Sequence, residues 1–209
     1  MTWEEHIPPD IAELYEIHDY KHAAAILASE FPREFNELCE ALRRFRFTVE
    51  DIKLAGGNES LIPKKYSKIL KPMGWAEGNL KAKLVIDNQE ISLDTHKVDY
   101  IKGRVAFDLE WNSKDQTFDR DLYAFRAFYE YDKIRLGVLV TRSNDLDKLF
   151  DSLGSYTDKN GTVRKYKAKY GASTTHMGKL LPRLNSGRNG GCPVLVFGIT
   201  RKLVTSESE

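Results

Sequence analysis

The sequence has no apolar run long enough to cross a bilayer; its longest, residues 136–140 and 193–197, fall far short of the roughly 20 residues a spanning helix needs. Residues 1–9 carry no basic stretch followed by an apolar segment, so no secretory leader is read there, and a cytoplasmic protein is expected. Cysteine is scarce. Cys39 and Cys192 are the only two, they stand far apart, and they match no metal or redox spacing, so both are read as reduced thiols. Low-complexity tracts and internal repeats are missing as well. With 41% hydrophobic residues in 209, the chain can build one sizeable core but hardly two full domains. A single domain over 1–209 is expected, with a helical part at 1–55, a core at 56–200 and a tail at 201–209.

Overall charge is nearly balanced, at net +1, but its distribution is not. Residues 159–188 hold Lys159, Arg164, Lys165, Lys167, Lys169, Lys179, Arg183 and Arg188 with no acid, a local +8 that leaves −7 for the remainder. Such asymmetry points to a surface for a polyanion. The stretch has no helical apolar face, which argues against a membrane.

Apolar spacing divides the chain. Ile11, Leu14 and Ile17, then Phe35, Leu38 and Leu42, recur at three and four, so the first fifty residues read as helices. Residues 56–60 form a break, and a helix over 62–70 starts at Pro63 and stops before Pro72. From Leu80 the period is two, which announces strands. Leu122, Phe125, Phe128 and Tyr129 restore helical spacing over 119–131, as packing rather than base-stacking residues. A strand over 134–140, a helix over 146–153 capped by Ser143, a polar hairpin or loop at 154–171, a helix over 174–184, a glycine loop and a strand over 193–199 follow. The tail at 206–209 is expected to be disordered.

Residues 98–111 carry the chemistry. Val98-Asp99-Tyr100-Ile101-Lys102-Gly103-Arg104-Val105-Ala106-Phe107-Asp108-Leu109-Glu110-Trp111 reads as a hairpin turning at Lys102-Gly103, with Asp99 opposite Ala106. Side chains alternate along a strand, so Asp99, Ala106, Asp108 and Glu110 share one face, and Val105, Phe107, Leu109 and Trp111 fill the other. Three carboxylates on one face repel each other and resist desolvation, which calls for a cation among them. Hard oxygen donors without a histidine or cysteine cluster suit Mg2+ rather than zinc.

These residues resemble the BglII-type restriction endonucleases, a family that includes BstYI-like enzymes and belongs to the PD-(D/E)XK nuclease superfamily. The resemblance rests on Asp99 with Lys102, on Arg104 through Trp111, on Asn112-Ser113-Lys114-Asp115 and on Phe118-Asp119-Arg120-Asp121-Leu122. It continues through Asp132-Lys133-Ile134, Gly137-Val138, Ser173-Thr174-Thr175-His176-Met177-Gly178-Lys179-Leu180 and Pro193-Val194-Leu195-Val196-Phe197-Gly198-Ile199, and covers roughly 60–199. It implies an α/β restriction-endonuclease-like core, a mixed central β-sheet flanked by helices, working as a homodimer on a two-fold symmetric site. It further implies Asp99 and Asp108 as metal ligands, and Asp99, Asp108 and Glu110 as the catalytic set. The chain departs from the pattern in three places: no proline precedes Asp99, Asp stands at 108 where Glu is more usual, and Glu110 stands where the superfamily often has lysine. Glu110 therefore orients or deprotonates water, or adds to the metal site.

DNA contacts are expected beyond the catalytic strand. Asn112 and Lys114 suit base edges. Ser173, Thr174 and Thr175, read as a helix start, suit bases or phosphates, and Lys165, Lys167, Lys169 and Arg188 suit phosphates. His18 and His22, four apart on an expected helix, lack a metalloprotease context, and the 187–191 glycine loop lacks the ending of a nucleotide-binding loop. The functional expectation is a type II restriction endonuclease cutting a short palindrome in double-stranded DNA with Mg2+, beside a cognate DNA methyltransferase. The alternatives are a non-catalytic DNA-binding protein and a repair or mobile-element nuclease on the same fold.

Overall fold

A computed structural model describes residues 2–53, 60–81, 83–87, 89–92, 96–158 and 160–206. Most of the expected break at 56–60, Lys159 and the final residues 207–209 lie outside the described residues. The chain begins with α1 (Pro9–Leu14), β1 (Tyr15–Tyr20), α2 (Ala23–Glu30), α3 (Pro32–Arg44), the short β2 (Phe47–Thr48), α4 (Val49–Lys53) and α5 (Leu61–Leu70). β3 (Ala76–Leu80), the pair β4 (Lys83–Ile86) and β5 (Gln89–Ser92), β6 (His96–Lys102), β7 (Val105–Glu110), α6 (Thr117–Glu130) and β8 (Leu136–Arg142) follow. It closes with α7 (Asp147–Ser152), the pair β9 (Ser155–Thr157) and β10 (Val163–Lys165), α8 (Met177–Asn185), β11 (Val194–Ile199) and β12 (Val204–Thr205).

The central sheet runs β1-β11-β8-β7-β6-β3. β7, β8 and β11 are parallel to one another, β1 is antiparallel to β11, and β6 is antiparallel to both β7 and β3. Every residue of β7, β8 and β11 is buried, as parallel strands covered on both faces must be. On one face Val105, Phe107, Leu109, Val138, Val140, Leu195 and Phe197 meet Ile11, Leu38, Leu42, Ile62 and Tyr66 from the N-terminal helices. On the other, Ala106, Leu139, Val194 and Val196 lie under Phe118, Leu122, Phe125 and Phe128 of α6 and Met177, Leu180 and Leu184 of α8. Helices thus flank a mixed sheet, the expected architecture, and both cysteines are buried free thiols.

Three expectations are corrected. Ile17 lies in β1, not in a helix: the chain turns extended after Leu14 because Tyr15–Tyr20 pairs with the antiparallel edge of β11, Ile17 opposite Phe197. His18 and His22 therefore share no helical face; His18 sits in β1 beside Glu16 at 2.8 Å, and His22 takes a left-handed φ of 59°. The helix expected from Thr174 starts at Met177, with His176 as its cap. Its predecessors, 173–175, are drawn instead into pairing with 113–115, Lys114 bridging Thr174.

Candidate active site

The β6–β7 hairpin pairs Tyr100 with Phe107, Ile101 with Ala106 and Lys102 with Val105, so the turn is Gly103-Arg104, not Lys102-Gly103. Gly103 has φ 54°, a left-handed conformation that glycine adopts without a Cβ clash. Continuing this register sets Asp99 opposite Asp108 rather than Ala106. The shift is two residues, so the acids keep their common face: Ala106 packs with the α6 side of the core, and Val105, Phe107, Leu109 and Trp111 pack on the other.

Asp99 and Asp108 interlock across the strands. The Asp99 N–H donates to Asp108 Oδ1 at 2.6 Å, and the Leu109 N–H donates to Asp99 Oδ2 at 3.1 Å. Asp99 is exposed at the mouth, while Asp108 and Glu110 are buried. Beneath them α6 adds Asp121, only 2% exposed. Residues 99, 108, 120 and 121, with Glu77, Lys97, Val98 and Ala124, line a cavity of about 250 Å³.

The cluster is short of positive charge. Arg120 reaches Asp121 Oδ1 at 3.0 Å and Glu110 Oε1 at 3.7 Å, yet its side chain is 71% exposed. Burial, then repulsion from Asp121, raises the Glu110 carboxyl to about 8. Burial likewise raises Asp121 to about 6, Arg120 pulling the other way, and drives Asp108 well above the usual carboxylate range, reinforced by Asp121 and Asp99. Asp108 Oδ2, Glu110 Oε2 and Asp121 Oδ2 are buried without a hydrogen-bond partner. An unpartnered buried carboxylate oxygen is costly unless something positive meets it. Hard, anionic donors of this kind fit a divalent cation. Among the described residues no group of three His, Cys, Asp or Glu side chains already stands as a metal cage.

Just past β7, the expected DNA residues from two distant parts of the chain meet. The Asp115 N–H donates to Ser173 O at 3.0 Å and the Thr175 N–H to Ser113 O at 2.9 Å. Asn112, Lys114 and Ser173 are exposed. The two threonines are committed inside: Thr175 is fully buried with Oγ1 accepting from the Ser113 N–H, and Thr174 Oγ1 donates to Gly171 O and accepts from Arg142. Arg142, 1% exposed at the end of β8, also donates from Nε to Thr175 O at 3.0 Å, and its guanidinium lies 5.3 and 5.2 Å from the centroids of the Phe150 and Tyr170 rings.

The acid-free basic segment meets acids in space. Arg164 pairs with Asp158, Lys167 with Asp151, Arg183 with Asp115 and Asp119, and Arg188 with Asp119. Lys169 lies over the Tyr156 and Tyr166 rings and donates to Lys53 O; Lys165 is exposed on β10. The polar stretch before it forms the β9–β10 hairpin, as expected.

Asp121, Arg120 and Arg142 were not singled out as site residues from sequence. Asp121 did carry a signal: it stands three after Phe118 and four before Phe125, inside the apolar stripe of α6. An acid there needs a buried partner.

No curated protein matches the chain. The family model described as Restriction endonuclease BglII/BglIII matches residues 15–199. The match takes in β1 as well as the acidic hairpin, α6 and β11, and with it the chain belongs to the BglII/BglIII restriction endonuclease family, nucleases that act on DNA.

Proposed function

We propose that the protein is a type II restriction endonuclease that hydrolyses phosphodiester bonds at a short palindromic site in double-stranded DNA, with Mg2+ as cofactor and as a homodimer of single-domain subunits, in the cytoplasm beside a cognate DNA methyltransferase. The observation that carries the cofactor is the set of three unpartnered, buried carboxylate oxygens on Asp108, Glu110 and Asp121.

Asp99 and Asp108 would hold the cation, giving up their main-chain hydrogen bonds to turn toward it. Bound there, magnesium would neutralise charge on the phosphate and make water a better nucleophile. Glu110, next along the same face, orients the attacking water or takes its proton. Arg120, which pairs with Asp121 and Glu110, is exposed enough to turn toward an entering phosphate. Asn112, Lys114 and Ser173 stand where base edges would be read, on a ledge that Thr174 and Thr175 hold in place, and Lys165, Lys167 and Arg188 steer the backbone. Arg188 and Lys167 would exchange Asp119 and Asp151 for phosphates.

The test is a digest of unmethylated phage DNA by the wild type and by Asp108→Ala, with Mg2+ or with a chelator, followed by end sequencing. Discrete fragments that require both Mg2+ and Asp108 are expected. Binding without cleavage, or an active Asp108→Ala protein, would overturn the catalytic reading.

A further inference from the structure

A second concave surface lies on the other face of the sheet. Arg43, Arg44, Phe45, Arg46, Lys65, Lys68, Ile69 and Thr205 line a cavity of about 410 Å³. Three elements converge on it: the last turn of α3, the start of β2 with β12 beside it, and one face of α5, where Lys65, Lys68 and Ile69 follow at helical spacing.

Two of its cations are already paired, Arg43 with Asp10 and Lys65 with Asp51. Among the described residues no carboxylate pairs with Arg44, Arg46 or Lys68. Arg46 is nonetheless held in place: its guanidinium donates to Arg43 O at 2.9 Å and to Phe45 O at 2.6 Å. Phe45, fully buried and stacked on Tyr66 with centroids 4.1 Å apart, gives the cavity a stiff floor. Arginines at a helix C-terminus answer the helix dipole, but that need does not draw two lysines from a second helix into the same cavity.

The cavity's place matters. β7, β8 and β11 are parallel, so their C-terminal ends share one edge of the sheet, where Asn112 and Arg142 lie. β12 follows β11 past that edge and pairs with β2. Phe47 of β2 packs against Trp111, the residue before Asn112, with ring centroids 5.5 Å apart.

We propose that this cavity binds phosphate groups of the DNA backbone flanking the cut site, through Arg44, Arg46 and Lys68. The inference rests on the nuclease reading. A fixed guanidinium fork and mobile lysines beside an edge that faces DNA form a phosphate site, and, among the described residues, Arg44, Arg46 and Lys68 have no acid to displace, whereas Lys167, Arg183 and Arg188 do.

The test uses the full chain with Arg44→Glu and Lys68→Glu singly, and Lys133→Glu, at the opposite end of β8, as a charge control. Thermal melting confirms that each folds. Affinity for mixed-sequence duplexes of about 12 and about 40 base pairs is measured without Mg2+ against salt, each lost phosphate contact lowering the slope of log K on log salt by about 0.9. On the long duplex, each cavity variant is expected to lower the slope by about one contact and the affinity severalfold, while the short duplex and Lys133→Glu show no such loss. An unchanged slope on the long duplex overturns the proposal. So does wild-type binding of inorganic phosphate or a mononucleotide that the variants lose while long-duplex binding is kept, because the ligand is then a free phosphate. Binding is read without cleavage, so a protein that cuts no DNA but shows the slope change would refute the nuclease reading and leave this one standing.

Discussion

Asp99 and Asp108 face each other across the β6–β7 hairpin, the main-chain N–H of the first donating to the carboxylate of the second at 2.6 Å. An amide oxygen can accept that bond as a carboxylate does, so Asp108→Asn keeps the clasp while removing the charge. We expect cleavage to fall about a thousandfold or more, the several kcal/mol that metal-held charge stabilisation supplies. The metal-free variant should melt a few degrees higher than wild type at pH 8, because it no longer buries an ionisable carboxyl among other acids. Single-turnover cleavage and thermal melting read the two effects. Equal activity, or a lower melting point, would remove Asp108 from its role.

The cluster makes metal-free stability depend on pH with a definite sign. Glu110 is raised from 4.5 to about 8 and Asp121 from 3.8 to about 6. Between the ordinary and the raised values the folded protein holds protons that the unfolded chain has released, so stability falls as pH rises through that window. Without divalent cations, the melting temperature should drop from pH 5 to pH 8; Mg2+ should restore it at pH 8 and do little at pH 5, where protons already occupy the oxygens. Melting curves at both pH values, with Mg2+ and with chelator, decide it. A flat or rising metal-free profile would show that the acids are not electrostatically strained.

How much of this could be read from residues alone depended on which period governed each segment. The acids' common face was legible because strand alternation survives an even shift: moving the turn by one residue shifts the pairing by two, which takes Asp99 from Ala106 to Asp108 but leaves it on the same side. β1 was not legible, because Ile11, Leu14 and Ile17 satisfy helical spacing while the edge of β11 that captures Tyr15–Tyr20 lies some 180 residues away in sequence. The surroundings of the basic segment were not legible for a similar reason. Its acids are absent only locally, and Asp115, Asp119 and Asp151 reach it through the fold.

Arg142 tests whether the ledge beyond β7 is built or incidental. Its guanidinium is buried and holds Thr174 and Thr175 in the place where they meet Ser113 and Lys114. Arg142→Met leaves the Thr175 carbonyl without that donor and should cost about 3 kcal/mol in urea unfolding. Arg142→Lys should rescue little, since an ammonium cannot supply the planar fork. DNA affinity at a fixed salt concentration should fall with both variants while Mg2+ affinity, measured by calorimetry, stays put. Loss of Mg2+ binding would mean that Arg142 supports the acid cluster instead.

Where Phe125 of α6 packs on Gly137 of β8 there is no room to spare. A Cβ built on Gly137 of β8 would stand 2.4 Å from two ring carbons of Phe125, far inside contact distance, so the glycine lets the ring approach the strand closely. Phe125 is fully buried between α6 and the sheet and cannot swing to solvent. Gly137→Ala must therefore push α6 outward, and overpacking of this kind costs about 1–3 kcal/mol. Because α6 also carries Arg120 and Asp121, the same displacement should weaken Mg2+ binding, although Gly137 has no side chain to offer the acid cluster. Phe125→Leu alone should destabilise by leaving space above the strand, but combined with Gly137→Ala the two changes in volume offset each other. The double variant should therefore be more stable than the sum of the single effects predicts, by about 1 kcal/mol or more in a double-mutant cycle read by urea unfolding. Strict additivity would show that the ring and the glycine are not in contact and that α6 is held over the acids by other packing.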